Sequence, residues 1–268
     1  MELSCRQYNG QIQIYYQDDF DYKELAEALI QSAWLNPDML ECKKEIQLVY
    51  NFHREAPVYK IDFNNRIYYF KIYSYKTFNK RLKNLFRPAE SIRYFQTAIQ
   101  LMRGDIEIAK PVLSLTYRRN LFVTDSIFVL EELPGVSLDT YLLSNGDPTK
   151  RKEVIQQIAR IWSKLIDQRF LHLDPASVNF LVNNEGGNLR VGLIDLDSIR
   201  AVPAVHPLKH LLIRQIVRLK RRFFRMLSEE EIALFFEELA GNCATTIRFE
   251  TLWKIYKTPS VRTFRHLF

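Results

Sequence analysis

Arg169-Phe-Leu-His-Leu-Asp-Pro-Ala-Ser-Val-Asn-Phe-Leu-Val182 and, shortly after, Val191-Gly-Leu-Ile-Asp-Leu-Asp197 decide how this chain is read. The pair spells His172-x-Asp174-x-x-x-x-Asn179, an apolar strand, a turn at Asn184-Glu-Gly-Gly187, a second apolar strand and Asp195. A carboxylate, an amide and a second carboxylate in that order are what phosphoryl transfer from a nucleoside triphosphate needs. Asp174 would accept or orient the proton of the attacking hydroxyl. Asn179 would offer its side-chain oxygen to Mg²⁺, and Asp195, at a strand end, would bridge that metal to the phosphates. The interval from Asp174 to Asp195 holds just two short strands and their turn. His172 reads as a residue that packs the loop rather than an acid or base. Asp197 reads as a cap for the next segment, with a second metal ligand as the alternative.

Working outward, 268 residues with 47% apolar content suffice for a full core, in one large lobe or two small ones. A net charge of +7 with 13% aromatics excludes a disordered chain. Cys5, Cys42 and Cys243 are too far apart for a C-x-x-C zinc site or a disulfide framework. The opening Met1-Glu-Leu-Ser-Cys-Arg has no basic-then-apolar leader pattern, and no apolar run is long enough for a bilayer. The expected location is therefore cytoplasmic.

Residues 11–17 alternate as a short strand, and Asp21 to Trp34 carries Leu25, Ala28, Leu29 and Ala33 at helical spacing. Glu45 to Phe52, Val58 to Phe63 and Ile67 to Tyr73 are rich in β-formers, broken by Pro57 and by an Asn64-Asn65 turn. They predict an antiparallel sheet with Lys71 on its third strand. A basic loop leads into a helix from Pro88 to Arg103, with Ile92, Phe95, Ile99 and Met102 on one face. Strands follow near Pro111–Thr116 and Ser126–Leu130, then helices over Leu138–Leu143 and Lys150–Gln168. The second of these turns Val154, Ile158, Ile161 and Leu165 to a core. Helices near Leu208–Leu227, Glu229–Leu239 and Phe249–Tyr256 finish the chain.

The His172–Asp197 block resembles the catalytic loop and metal-binding segment of the protein-kinase-like fold. That resemblance implies an α+β, two-lobed architecture: an N-terminal antiparallel sheet with one main helix over 1–133, and a mostly helical C-terminal lobe over 134–268. It gives Lys71 the phosphate-gripping role, and it makes Glu131-Glu-Leu-Pro-Gly135 the hinge, with Glu131 and Leu133 offering backbone groups to adenine. Glu90 is the candidate acid to pair with Lys71, since Gln96 falls where a glutamate is expected. Three departures narrow the reading. No glycine lies between Gly10 and Gly104, so no Gly-rich loop covers the phosphates, and the Asn51–Pro57 turn must serve. Ala176 stands where many kinases carry a basic residue. After Asp195 no activation segment intervenes before the helical tail, which removes a platform for a protein substrate.

With those departures the chain is similar to the bacterial lipopolysaccharide core kinases, the Kdo/heptose kinase group. The matching pieces are Tyr69-Phe-Lys-Ile-Tyr73, the basic stretch Lys76 to Arg87, Arg93-Tyr-Phe-Gln-Thr-Ala98, Ile108-Ala-Lys-Pro-Val112, Phe128-Val-Leu-Glu-Glu-Leu-Pro-Gly135 and the catalytic block. The resemblance implies ATP and Mg²⁺ as cofactors and a lipid A-linked core oligosaccharide as acceptor. It also implies work at the cytoplasmic face of a Gram-negative inner membrane. Charge agrees: residues 201–228 hold seven Lys/Arg and no Asp/Glu, with Arg214, Arg218, Arg221 and Arg225 in one stripe opposite Leu212, Ile216, Leu219, Phe223 and Leu227. Such a stripe is a solvated helix face, or it meets an anionic membrane surface or an acidic acceptor. A second basic run (Lys76, Lys80, Arg81, Lys83, Arg87) is expected at the cleft entrance. Nucleic acid is not expected, because no aromatic-interleaved motif accompanies the charge. Two alternatives stand beside this reading: a small-molecule phosphotransferase of the aminoglycoside or choline type, and a pseudokinase that binds glycolipid or a partner.

Overall fold

The structure, a computed structural model, describes residues 4–17, 22–35, 46–51, 56–144, 147–245 and 247–258. Contacts divide the chain into two compact units, Met1–Ile99 with Ala109–Glu132, and Gln100–Ile108 with Leu133–Phe268. A cut at residue 133 therefore misassigns the segment Gln100–Ile108. Its backbone is tied into the second unit: Lys164 Nζ donates to Asp105 O (2.6 Å), Gln168 Nε2 to Gly104 O (3.4 Å) and the Leu193 N–H to Glu107 O (2.9 Å). Sequence patterning locates the preceding helix but not the unit on which its last turn docks.

The first unit is built on a seven-stranded sheet in the order β1-β2-β6-β7-β5-β4-β3, every pair antiparallel. The strands are β1 (Ser4–Gln7), β2 (Ile12–Tyr16), β3 (Ile46–Tyr50), β4 (Val58–Phe63), β5 (Arg66–Ser74), β6 (Pro111–Arg119) and β7 (Phe122–Glu131). β1 is legible only in the structure, since Ser-Cys-Arg-Gln has no apolar alternation. The β4–β5 turn is tight because Asn64 and Asn65 both take left-handed conformations (φ 52° and 58°), which Asn tolerates. One face of the sheet sends Ile12, Ile14, Tyr68, Phe70, Leu113, Leu115, Ile127 and Val129 into a core completed by helix α1 (Lys23–Ile30) through Leu25, Ala26, Leu29 and Ile30. A π-helical turn over Gln31–Leu35 continues α1. The other face receives helix α3 (Glu90–Arg103): Phe95 meets Phe128 edge-on at 6.1 Å, and Tyr94 lies 5.5 Å from Tyr73. Ile92, Phe95 and Ile99 are buried, whereas Met102 is exposed and Leu101 is buried in its stead.

The basic run before α3 is not a loop. It folds as helix α2 (Phe78–Phe86), held by Arg81 Nε donating to Tyr75 O at 2.7 Å. Lys, Arg and Leu are good helix formers, and Phe78, Leu82, Leu85 and Phe86 repeat at helical spacing, so the signal was in the sequence although this apolar face turns away from the protein. α3, at 14 residues, is the main helix of the unit, with the shorter α1 and α2 added to it.

The second unit packs helices α4 (Leu138–Ser144), α5 (Pro148–Asp167), α6 (Leu208–Arg222), α7 (Glu229–Asn242) and α8 (Phe249–Lys257) with two small sheets. The first sheet runs β11 (Asn188–Leu193), β10 (Phe180–Glu185), β8 (Val136–Ser137); the second pairs β12 (Ile199–Ala201) with β9 (Phe170–His172). α5 starts where Asp147 accepts the Thr149 N–H (2.9 Å) with Pro148 in the first turn. Ser228 and Glu231 form a capping box at α7, and Arg151 Nε reaches Glu231 at 2.7 Å to tie α7 to α5. Trp162, Phe180, Phe223, Phe235 and Phe236 are fully buried at the centre.

Candidate functional site

The segment that carries Asp174 leaves β9 and is fixed from three sides. Its residue His172 is fully buried and stacks on Trp162, the ring centroids 5.6 Å apart and the planes 6° from parallel. Burial pushes the imidazole down to about 4, against an opposing pull from the Asp195 carboxylate, so the ring is neutral at physiological pH. Ser198 Oγ lies 3.1 Å from His172 Nδ1 and 3.0 Å from Asp195 O. A hydroxyl has one proton, and a carbonyl can only accept. The hydroxyl therefore donates to Asp195 O, Nδ1–H donates to Ser198 Oγ, and Nε2 remains a buried acceptor without a partner among the described residues. His172 is thus a positioning residue for the turn that carries Asp195.

That turn needs holding. Asp195 has φ 56° and ψ 57°, a left-handed conformation that costs a non-glycine residue about 1–2 kcal/mol. The Ser198 N–H (3.3 Å) and the Ser198 hydroxyl both bond the Asp195 carbonyl, which offsets the strain. The Ile194 N–H donates to Asn179 O at 3.0 Å, so the two expected metal ligands share a backbone link. Asn179 Nδ2 donates to Asp174 O at 2.9 Å. With the amide nitrogen committed, the Asn179 side-chain oxygen is left as an acceptor. Asp174, Asn179 and Asp195 are each half-buried and are brought together in the second unit. One amide and one carboxylate are hard oxygen donors that fit a divalent cation such as Mg²⁺, and their small number suits a metal that also binds nucleotide phosphates. Asp197 lies inside the 3₁₀ turn Leu196–Ser198 rather than ahead of it.

The third support is α6, whose contribution the sequence did not reveal. Gln215, fully buried, receives the His172 N–H on Oε1 (3.3 Å) and donates from Nε2 to Phe170 O (2.8 Å). Arg218 Nε donates to Leu173 O (3.2 Å). Arg222 Nε stands 3.2 Å from Asp174 Oδ1, close enough for an ion pair although its angle falls short of a hydrogen bond. Gln215, Arg218 and Arg222 follow i, i+3, i+7 along one helix face. Polar residues at that spacing beside an apolar face were the signal available. The predicted stripe assigned Arg218 to it but omitted Arg222. Arg214, Arg221 and Arg225 are exposed as predicted, and Arg218 is held below its ordinary pKa by burial first, then by Arg214 and Arg221.

The remaining expected residues lie elsewhere. Lys71 is half-buried in the middle of the sheet, registered between Val58 and Phe128, on the face that α3 covers. Glu90 opens α3, and its carboxylate faces Arg93 at 3.5 Å. Gln96 is exposed. The Glu131 N–H is bonded to Lys110 O (2.8 Å) and the Glu132 N–H to Ile67 O (2.9 Å), while the Leu133 N–H makes no bond among the described residues. Gly135, at φ 144°, sits so close to β10 that an added Cβ would lie 2.8 Å from Val182 O. Most of the Asn51–Pro57 turn, the expected phosphate cover, lies outside the described residues, as does Cys42.

A family model described as lipopolysaccharide kinase (Kdo/WaaP) family matches residues 51–234, more than half of the chain. Among curated proteins no sequence matches. Among solved structures, "WaaP in complex with acyl carrier protein" is similar at 16% sequence identity with a TM-score of 0.57, over 84% of this chain and 89% of that one. The likeness shows the fold, an N-terminal antiparallel sheet followed by a mostly helical part, as the protein-kinase-like expectation had it. Among the described residues no helix is long and apolar enough to cross a membrane.

Proposed function

Because the chain belongs to the Kdo/WaaP lipopolysaccharide kinase family, we propose that it transfers the γ-phosphoryl group of ATP to a sugar hydroxyl, of Kdo or heptose, in the lipopolysaccharide inner core. The observation that supports this reading is the Asn179 Nδ2 bond to Asp174 O, which commits the amide nitrogen and leaves the side-chain oxygen as an acceptor. Asp174 takes or orients the acceptor proton. Asn179 and Asp195 hold Mg²⁺, which when bound neutralises charge on the phosphates. Lys71 grips the phosphates, and Glu131 and Leu133 offer backbone groups to adenine. Glu90 is a weaker candidate, since its carboxylate is engaged with Arg93. Arg222 brings a guanidinium to the carboxylate that Ala176 leaves without a basic neighbour in its own loop. The acceptor is lipid A-linked, so the protein works at the inner face of the inner membrane.

The test incubates purified protein with Mg-ATP and core oligosaccharide, with mass spectrometry for an added phosphate. Transfer to choline or an aminoglycoside but not to the core would establish the small-molecule alternative. Absence of any thermal stabilisation at saturating Mg-ATP would establish the pseudokinase alternative.

A further inference from the structure

Helix α2 is built inside out. Phe78, Leu82, Leu85 and Phe86 fall at i, i+4, i+7 and i+8, one face of the helix, and all four are exposed, Phe86 to 85%. The side chain the helix does bury is polar: Asn84, whose Nδ2 has no partner among the described residues. A surface helix normally does the reverse. The apolar face is extended by the β6–β7 turn, where Leu121 is 73% exposed and Phe122 meets the Phe78 ring edge-on at 5.8 Å. Around this patch stand the exposed Lys76, Lys80, Lys83, Arg87 and Arg119. From residue 75 to residue 89 there is no Asp or Glu.

We propose that α2 and the β6–β7 turn are a membrane-docking surface that lies in the interface of an anionic lipid bilayer. Phe78, Leu82, Leu85, Phe86 and Leu121 enter the acyl boundary, and the basic ring meets headgroup phosphates. Charge complementarity selects an anionic occupant. The pattern selects lipid over protein: an apolar helix face flanked by Lys and Arg, with no acidic residue in the segment, is that of a helix lying in a membrane interface. This surface lies wholly in the first unit, and binding lipid there needs no catalysis. It deepens the proposed function only by saying how the enzyme would reach a lipid-linked acceptor.

Flotation of the full chain with vesicles tests it, comparing phosphatidylcholine alone with phosphatidylcholine containing phosphatidylglycerol at physiological salt. Binding is expected to the anionic vesicles only. Leu82→Ser with Phe86→Ser should cut that binding by about tenfold or more while leaving the melting temperature unchanged, since both side chains are solvent-exposed. Phe86→Trp should show a blue shift of its added emission on vesicle addition. Undiminished binding by the double serine variant, or no emission shift, would overturn the proposal. So would a photo-crosslinker at position 86 that traps one acidic protein in cells instead of phospholipid. None of these readouts uses ATP, so vesicle binding without phosphoryl transfer would sink the kinase proposal and leave the docking surface standing.

Discussion

Acidification should destabilise the protein through His172 in a way that one substitution removes. The folded ring charges near 4 because it is buried, whereas in the unfolded chain it titrates near 6.5. Between those values the unfolded chain binds a proton that the folded chain refuses, so stability falls as pH falls. The full contribution is present above pH ~6.5 and is lost progressively toward pH ~4. The two values give a loss of about 2 kcal/mol at pH ~5 and about 3 kcal/mol at pH ~4 relative to neutral. Urea unfolding followed by Trp fluorescence measures it, in wild type and in His172→Phe, at neutral pH and at pH ~5. Phe retains the stack on Trp162 but cannot titrate. It also removes the Nδ1–H donated to Ser198, at about 1–3 kcal/mol in neutral conditions. Carboxylates titrate alike in both proteins, so the acid-dependent difference belongs to His172. An equal acid loss in the two proteins would refute the reasoning.

Asp174→Asn and Asp195→Asn should each abolish transfer to the core oligosaccharide with the fold intact by circular dichroism; turnover surviving in either variant removes that residue from the mechanism. Arg222→Gln should shift stability by less than about 1 kcal/mol, because the pair with Asp174 is largely exposed. The same change should lower turnover by about tenfold or more if the guanidinium serves the transferring phosphate. Stability and rate measured together separate these outcomes. Gly135→Ala should cost about 2 kcal/mol or more in thermal unfolding, since its φ of 144° and the 2.8 Å approach to Val182 O both oppose a Cβ.

The legible parts were those where local chemistry and long-range packing agree. Leu25 and Leu29, or Val154, Ile158 and Leu165, face the core at the spacing that predicted them. The nearness of Asp174, Asn179 and Asp195 was readable because a loop, a hairpin and a strand end link them over a short interval. Helix α2 was legible from Phe78, Leu82, Leu85 and Phe86 at helical spacing but was missed because the basic residues between them read as a loop. β1 was missed because Ser4–Gln7 is held by its pairing with β2 and not by burial. Gln215 and Arg222 were missed because their partners, His172 and Asp174, lie 43 and 48 residues away along the chain. The docking of Gln100–Ile108 on the second unit is a contact of the same kind.

Two separate hydrogen bonds meet at His172: its ring donates to Ser198, which donates to the carbonyl of the strained Asp195, and its backbone N–H donates to the buried Gln215 side chain. The first link runs through side chains, so replacing His172 alone leaves the Ser198 oxygen without its donor in a dry interior. Replacing His172 and Ser198 together removes that orphan, and the Asp195 carbonyl keeps the Ser198 N–H. Those two positions should therefore change as a pair and show strong non-additivity. Gln215 answers backbone groups, the His172 N–H and the Phe170 carbonyl, which no substitution at 172 removes. A chain that reached the same fold with an apolar residue at position 172 would be expected to have given up the hydroxyl at 198 and kept the amide at 215.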